Sequence, residues 1–195
     1  MRFLIFVVIV GLCRANHFST WDLVDMRRML LDGEALQIPK ALPEYLIQFD
    51  FKNIIWEENY DEDEFGKVWY TRQQCKSCAK PIEDWVINNK DLFQTLIPYN
   101  NISKVSLILT KYTAGDYLEL HTDYDHKDRL LSFVLHLNWM QPSCGGEFIW
   151  AAEKGIKKAP VMKNVLYMFV PSKHSWHGIQ QVHCGDRYAI SGWFY

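Results

Sequence analysis

The chain has 195 residues, with 21 Lys and Arg against 23 Asp and Glu and a net charge of −2. That length suits one domain, and the near balance of charge argues against a basic nucleic-acid groove, so no nucleic-acid partner is expected. Apolar residues at 49% and charged residues at 23% exclude a disordered chain and leave enough for a core.

Residues 3–13 are apolar and follow Arg2. A bilayer span takes about 20 residues, so no stable membrane span is expected. The run matches the apolar centre of a signal peptide over residues 1–15, with cleavage after Ala15. A buried β segment is the competing reading of the same Val- and Ile-rich stretch. If removed, it leaves a single domain, 16–195, in the secretory pathway or the lumen of the endoplasmic reticulum; if retained, the chain is cytoplasmic. Cys13 would leave with it. Cys75, Cys78, Cys144 and Cys184 then remain, an even number that permits two disulfides. Cys75 and Cys78 form a lone CxxC, for which free thiols or a local bridge outweigh a metal or redox centre. Asn101-Ile102-Ser103 is a glycosylation sequon that matters only in a secreted chain.

Residues 20–32 read as an amphipathic helix stopped by Gly33, and Pro43 opens a short helical turn to about residue 48. Residues 54–57 and 67–71 are short β-like runs, with an acidic cluster at 61–64 read as a solvated loop. Residues 58–80 are either a cover over the site mouth or a surface loop. Residues 81–97 make the strongest helix, with Pro81 in its first turn. After Asn101 the texture changes to short strands at 104–112, 117–123, 130–137, 147–150, 165–170, 177–182 and 187–194, separated by Gly, Pro and Asp turns. Helices first, then a β-sandwich of seven or eight strands, is the expected order.

Six of the seven histidines lie after residue 120. Side chains alternate faces along a strand, so Tyr117, Glu119, His121 and Asp123 share one face. His121 and Asp123 project side by side, as two ligands of one metal must. A second histidine near 174–177 would complete two His and one carboxylate, a set that suits Fe(II) and leaves positions open. In the last strand Arg187, Ala189, Ser191 and Trp193 share a face. The small residues leave room for the guanidinium fork, which matches a carboxylate. Ser132, Val134, His136 and Asn138 form a polar-bearing stripe that reads as a pocket wall.

Tyr112, Tyr117, His121-x-Asp123, Gly145-Gly146-Glu147 and His177-x9-Arg187, in that order, resemble the Fe(II)/2-oxoglutarate-dependent dioxygenases in their prolyl-4-hydroxylase-like branch. The resemblance covers about residues 103–195. It implies a mainly β fold with N-terminal helices, a double-stranded β-helix of the jelly-roll, cupin-like kind. It implies His121, Asp123 and His177 as iron ligands and no catalytic residue beyond them. The family's last ligand stands about ten residues before its arginine, which fits His177 and makes His174 three residues early. Arg187 would bind the distal carboxylate of 2-oxoglutarate, with Tyr112, His136 and Ser132 in the cosubstrate pocket and Trp193 near the metal. His136 departs from the tyrosine that several relatives carry there.

The implied activity is hydroxylation of an unactivated C–H, with a peptidyl proline as the family-based substrate. Fe(II) is the cofactor, 2-oxoglutarate and O2 are consumed, succinate and CO2 are released, and ascorbate is a candidate reductant. Two other readings use the same ligands: a zinc-dependent hydrolase with an activated water, and a non-catalytic jelly-roll binding protein. The hydrolase lacks a carboxylate at general-base spacing and leaves Arg187 without a task.

Overall fold

The computed structural model describes residues 20–62, 68–98, 100–126, 128–152 and 155–195. The apolar segment 1–15 lies outside them. Three helices, α1 (Thr20–Leu31), α2 (Lys80–Asn88) and α3 (Lys90–Gln94), accompany eleven strands among the described residues. The strands are β1 (Leu36–Pro39), β2 (Glu57–Glu62), β3 (Val68–Cys75), β4 (Val105–Tyr112), β5 (Tyr117–His121), β6 (Leu131–His136), β7 (Phe148–Ala152), β8 (Gly155–Ala159), β9 (Val165–Phe169), β10 (His177–Ile179) and β11 (Arg187–Phe194). No helix among the described residues is long and apolar enough to cross a membrane.

All pairings are antiparallel, in the order β1-β9-β6-β11-β4-β3-β5-β10-β7-β8, with β2 paired to β3 alone. β3 joins two arms: Gln73–Cys75 pair with β4, and Tyr70 and Thr71 pair with β5. Alternation explains how the arms close. One face of the first arm carries Leu107, Leu109, Leu131, Phe133, Leu135, Ile190 and Phe194, which pack with Met26 and Leu30 of α1, Ile82 and Val86 of α2, and Phe93 of α3. The opposite face carries Val134, Tyr167, Phe169 and Ala189, which pack against Phe148 and Ile179 of the second arm. Each large side chain so buried is worth roughly 1.5–3 kcal/mol. The result is the expected jelly roll with helices outside.

Several element boundaries differ from the expectation. The helix expected over 81–97 breaks at Asn89, whose side-chain amide donates to the Trp85 carbonyl at 2.8 Å. An asparagine that hydrogen-bonds the backbone in this way competes with helix continuation. Asp61 and Glu62 lie in β2 rather than in a loop, because β3 supplies their pairing partners. β1 and β8 were not expected. β1 has only four residues and ends in a proline, which leaves its Leu36–Ile38 alternation too short to stand out, and β8 is exposed along most of its length, so burial leaves no pattern there. Cys75–Cys78 and Cys144–Cys184 are both disulfides.

Candidate metal and cosubstrate site

His121 ends β5 and His177 begins β10, and the two are directly paired across the strands. β10 lies close on β5 because residue 178 is glycine; a Cβ there would stand 2.6 Å from the Leu118 carbonyl oxygen. The imidazole centroids are 4.3 Å apart. Asp123 falls just past the end of β5, and its Oδ1 lies 3.8 Å from His121 Nε2. One ligand atom from each of His121, Asp123 and His177 lies within 4.8 Å of the others.

The surroundings set the ligand atoms. His121 Nδ1 lies 3.1 Å from the Glu119 carbonyl and His177 Nδ1 lies 2.9 Å from the Ser175 carbonyl. A carbonyl only accepts, so each Nδ1 carries the proton and each Nε2 keeps its lone pair for a metal. Burial, joined for His177 by the neighbouring His121, holds both rings below the ordinary histidine range, His177 down to about 4. Both are therefore neutral at pH 7. Asp123 is buried at 5% exposure. Its Oδ2 accepts from the Ser132 hydroxyl at 2.6 Å and the Trp193 indole at 2.9 Å, and its Oδ1 accepts from Arg129 Nη1 at 2.6 Å. Burial alone would raise the Asp123 pKa; His177, Ser132, Arg129 and Trp193 outweigh it and keep the carboxylate ionised.

These groups open on a cavity of about 980 Å³ lined by Tyr112, Phe148, Ile179 and Ser191, among others. Tyr112 pairs with Arg187 across β4 and β11, and the guanidinium carbon lies 5.1 Å from the Tyr112 ring centre. Arg187 is 1% exposed, and its Nε and Nη2 have no hydrogen-bond partner among the described residues. Those two atoms form one edge of the guanidinium fork, the edge that receives a carboxylate bidentately. Burial lowers its pKa to about 10, so it remains a cation at neutral pH. His136 is fully buried with neither ring nitrogen hydrogen-bonded, and its pKa is held well below the usual range by burial and then by Arg187. Buried polar atoms without partners are costly and rare, and here they cluster on two neighbouring side chains.

The structure thus brings His121, Asp123, His177, Tyr112, Ser132 and Trp193 together along the cavity. Ser132 and Trp193 donate to Asp123, while Arg187 and His136 stand beside one another on the strands behind. His174 is exposed. Asp61, Tyr70 and Arg72 also line the cavity, as the cover reading of residues 58–80 expected of that segment, although none was singled out; Arg129 lines it too and was not read from the sequence. Arg129 could have been noticed as the one charge entering the apolar run 130–137; β3 residues carry no such local signal.

Residues 107–195 match the family model of the 2OG-Fe(II) oxygenase superfamily. No curated protein matches the chain in sequence. Among solved structures, a prolyl-4-hydroxylase from Pseudomonas putida is similar at a TM-score of 0.67 and 19% identity, covering 88% of this chain and 97% of that one. A Trichoplax adhaerens prolyl hydroxylase, solved with a hypoxia inducible factor peptide fragment, gives a TM-score of 0.68 and 15% identity, covering 91% and 94%. The viral collagen prolyl hydroxylase of Paramecium Bursaria Chlorella virus-1, solved with 2OG, gives a TM-score of 0.58 and 17% identity, covering 82% and 94%. At these identities the likeness is one of fold.

Proposed function

We propose that residues 107–195, a domain of the 2OG-Fe(II) oxygenase superfamily, make this chain a hydroxylase of peptidyl proline. One observation carries the reading: two Nε2 lone pairs and one carboxylate converge at one point of a cavity, and an unpaired, buried guanidinium edge stands beside Tyr112 of its lining.

The donor set fits the implied cofactor. Two neutral imidazoles and one carboxylate form the facial arrangement that non-haem Fe(II) takes, with open positions left over. His121, Asp123 and His177 would hold the metal; the Nε–Nη2 edge of Arg187 would receive the distal carboxylate of 2-oxoglutarate, with His136 as a further donor. When bound, Fe(II) and 2-oxoglutarate together supply the O2-dependent oxidation of an unactivated C–H, with release of succinate and CO2.

The chain's own residues do the rest. Glu119 and Ser175 fix the imidazole tautomers through their carbonyls. Ser132 and Trp193 hold Asp123 Oδ2, so that the carboxylate cannot rotate away from the two rings. Phe148 and Phe169, packed beside His177, keep water from that side of the site. The cavity exceeds what 2-oxoglutarate needs, leaving space for a substrate side chain. The peptide bound by the Trichoplax enzyme supports a peptide substrate.

The test is a succinate-release assay with Fe(II), 2-oxoglutarate and a panel of proline-containing peptides, with mass spectrometry for an added oxygen on proline. Succinate coupled to proline hydroxylation is expected. Turnover coupled only to non-proline substrates would overturn the substrate assignment. Zinc-dependent hydrolysis, or metal binding without 2-oxoglutarate binding, would favour the hydrolase or binding-protein reading.

A further inference from the structure

We propose that Arg72 of β3 is a second cosubstrate-binding cation, which holds the carboxylate of 2-oxoglutarate nearest the metal ligands while Arg187 holds the distal one. The proposal rests on the reading of the cavity as an oxygenase site.

Arg72 lines the same cavity as the three ligands. Its Nε is buried and has no hydrogen-bond partner among the described residues. Its guanidinium carbon lies 5.0 Å from the Tyr70 ring centre, which holds the head in place without engaging Nε. Strand pairing fixes its direction. Gln73 pairs with Lys111, so the next residues along, Arg72 and Tyr112, emerge on the opposite, shared face. Tyr112 in turn pairs with Arg187. Arg72, Tyr112 and Arg187 therefore form one row across β3, β4 and β11. The charge on Arg72 reaches both ends of the site: after burial, it is among the causes that lower the pKa of His121 at one end and of Arg187 at the other.

Arg72 on the cavity wall and Arg187 buried beside Tyr112 of that wall carry like charges, which is unfavourable unless an anion lies between them. Among the described residues neither Arg72 nor Arg187 makes an ion pair, and both keep unpartnered donors. Asp123 is already committed to Arg129, Ser132 and Trp193. Asp61 lines the cavity, and among the described residues it forms no ion pair with Arg72. Arg72 and Arg187, two cations with buried unpartnered donors, match a ligand with two carboxylates, and 2-oxoglutarate has one at each end. Its metal-proximal carboxylate is the one that a cation near His121 can reach.

The test uses the full chain loaded with Fe(II) under anaerobic conditions, and calorimetric binding of two probes. One is 2-oxoglutarate; the other is 2-oxopentanoate, which keeps the 2-oxo acid end and replaces the distal carboxylate with a methyl group. Arg72→Gln should weaken both about 10- to 150-fold, the range expected for losing a hydrogen bond to a charged group. Arg187→Gln should weaken only 2-oxoglutarate. Arg72→Met, which keeps an apolar stem over Tyr70, should behave as Arg72→Gln, and Arg72→Lys should recover part of the loss. Unchanged affinity for both probes in folded Arg72 variants would overturn the proposal. A raised peptide KM with unchanged 2-oxoglutarate affinity would also overturn it, and would assign Arg72 to the substrate. If Arg187→Gln also left 2-oxoglutarate binding unchanged, the oxygenase reading itself would fall.

Discussion

Gly146 lies directly against Arg187: a Cβ at position 146 would stand 3.1 Å from the arginine Cδ and 3.3 Å from Val182. The backbone at 146 also has φ of +77°, a conformation that costs an L residue roughly 1–2 kcal/mol. Gly146→Ala therefore meets strain in its own backbone and displaces the guanidinium it supports. A stability loss of about 1–2 kcal/mol is expected, with 2-oxoglutarate affinity reduced by about tenfold and metal affinity unchanged. Chemical denaturation and calorimetry check the two parts separately; unaltered 2-oxoglutarate affinity would show that Gly146 serves the turn alone.

Asp123 is held on Oδ2 by donors from two neighbouring strands, Ser132 of β6 and Trp193 of β11, which pair with each other in register. Ser132→Ala and Trp193→Phe each remove one donor and keep most of the packing. Partners that orient a ligand typically carry 10- to 100-fold in metal affinity, so each variant should raise the Fe(II) dissociation constant by about that factor. The double variant should fall short of the product of the two losses, because both act on one oxygen. A fully multiplicative loss would mean that the two donors act independently.

His136 makes the stability of the metal-free chain depend on pH. Its folded pKa is depressed by burial and by Arg187, against about 6.5 when unfolded. Above pH 6.5 both states are neutral and the histidine contributes no slope. Below it the unfolded chain takes up a proton that the native state refuses, so stability falls with pH by up to about 1.4 kcal/mol per unit, until the folded pKa is reached. His136→Phe removes this slope from the total. Urea midpoints at pH 7.5 and pH 5 in both proteins measure the difference; parallel losses would show that His136 does not contribute.

Spacing along the chain carried the cluster of His121, Asp123 and His177 and the buried arginine, because both depend on short-range alternation and on one interval. His121-x-Asp123 share a face by alternation, and Arg187 shares the inner stripe with Ala189 and Ser191. His136 was legible as a pocket residue for the same reason, although its two empty nitrogens were not. β8 was hidden because Lys157 and Lys158 face solvent on an edge, so burial leaves no pattern there. Arg72 was hidden because its meaning lies in a row of partners from β4 and β11, forty and more than a hundred residues away. The break at Asn89 depends on a side-chain amide choosing a backbone carbonyl, which helical periodicity cannot report.

His174 and His177 lie three residues apart but stand in different surroundings. His174 is exposed, whereas His177 is buried at 6% and points its Nε2 toward His121 and Asp123. His174→Ala should retain one iron per chain and normal stability. His177→Ala should lose bound iron. Iron stoichiometry showing the reverse would reassign the third ligand.

The two disulfides should differ in what they contribute. Cys75–Cys78 spans a sequence separation of 3, while Cys144–Cys184 spans 40. Loop-closure entropy gives the longer link roughly 3–4 kcal/mol in the unfolded chain and the shorter one much less. The longer link also ties together the segment that supports Arg187. Cys144 precedes Gly145 and Gly146, its carbonyl accepts from the His183 amide at 2.7 Å, and Gly145 bridges to Val182. These backbone bonds survive loss of the sulfur link, so the site should loosen rather than collapse. Cys144→Ser/Cys184→Ser should therefore lower unfolding free energy by about 2–4 kcal/mol and weaken 2-oxoglutarate binding, while Cys75→Ser/Cys78→Ser changes either quantity much less. Denaturant unfolding with and without reductant, followed by calorimetry on the folded variants, measures both. Equal losses from the two pairs would contradict the entropic argument. A destabilised Cys144 and Cys184 variant with unchanged 2-oxoglutarate affinity would show that the backbone bonds alone hold Gly146 against Arg187.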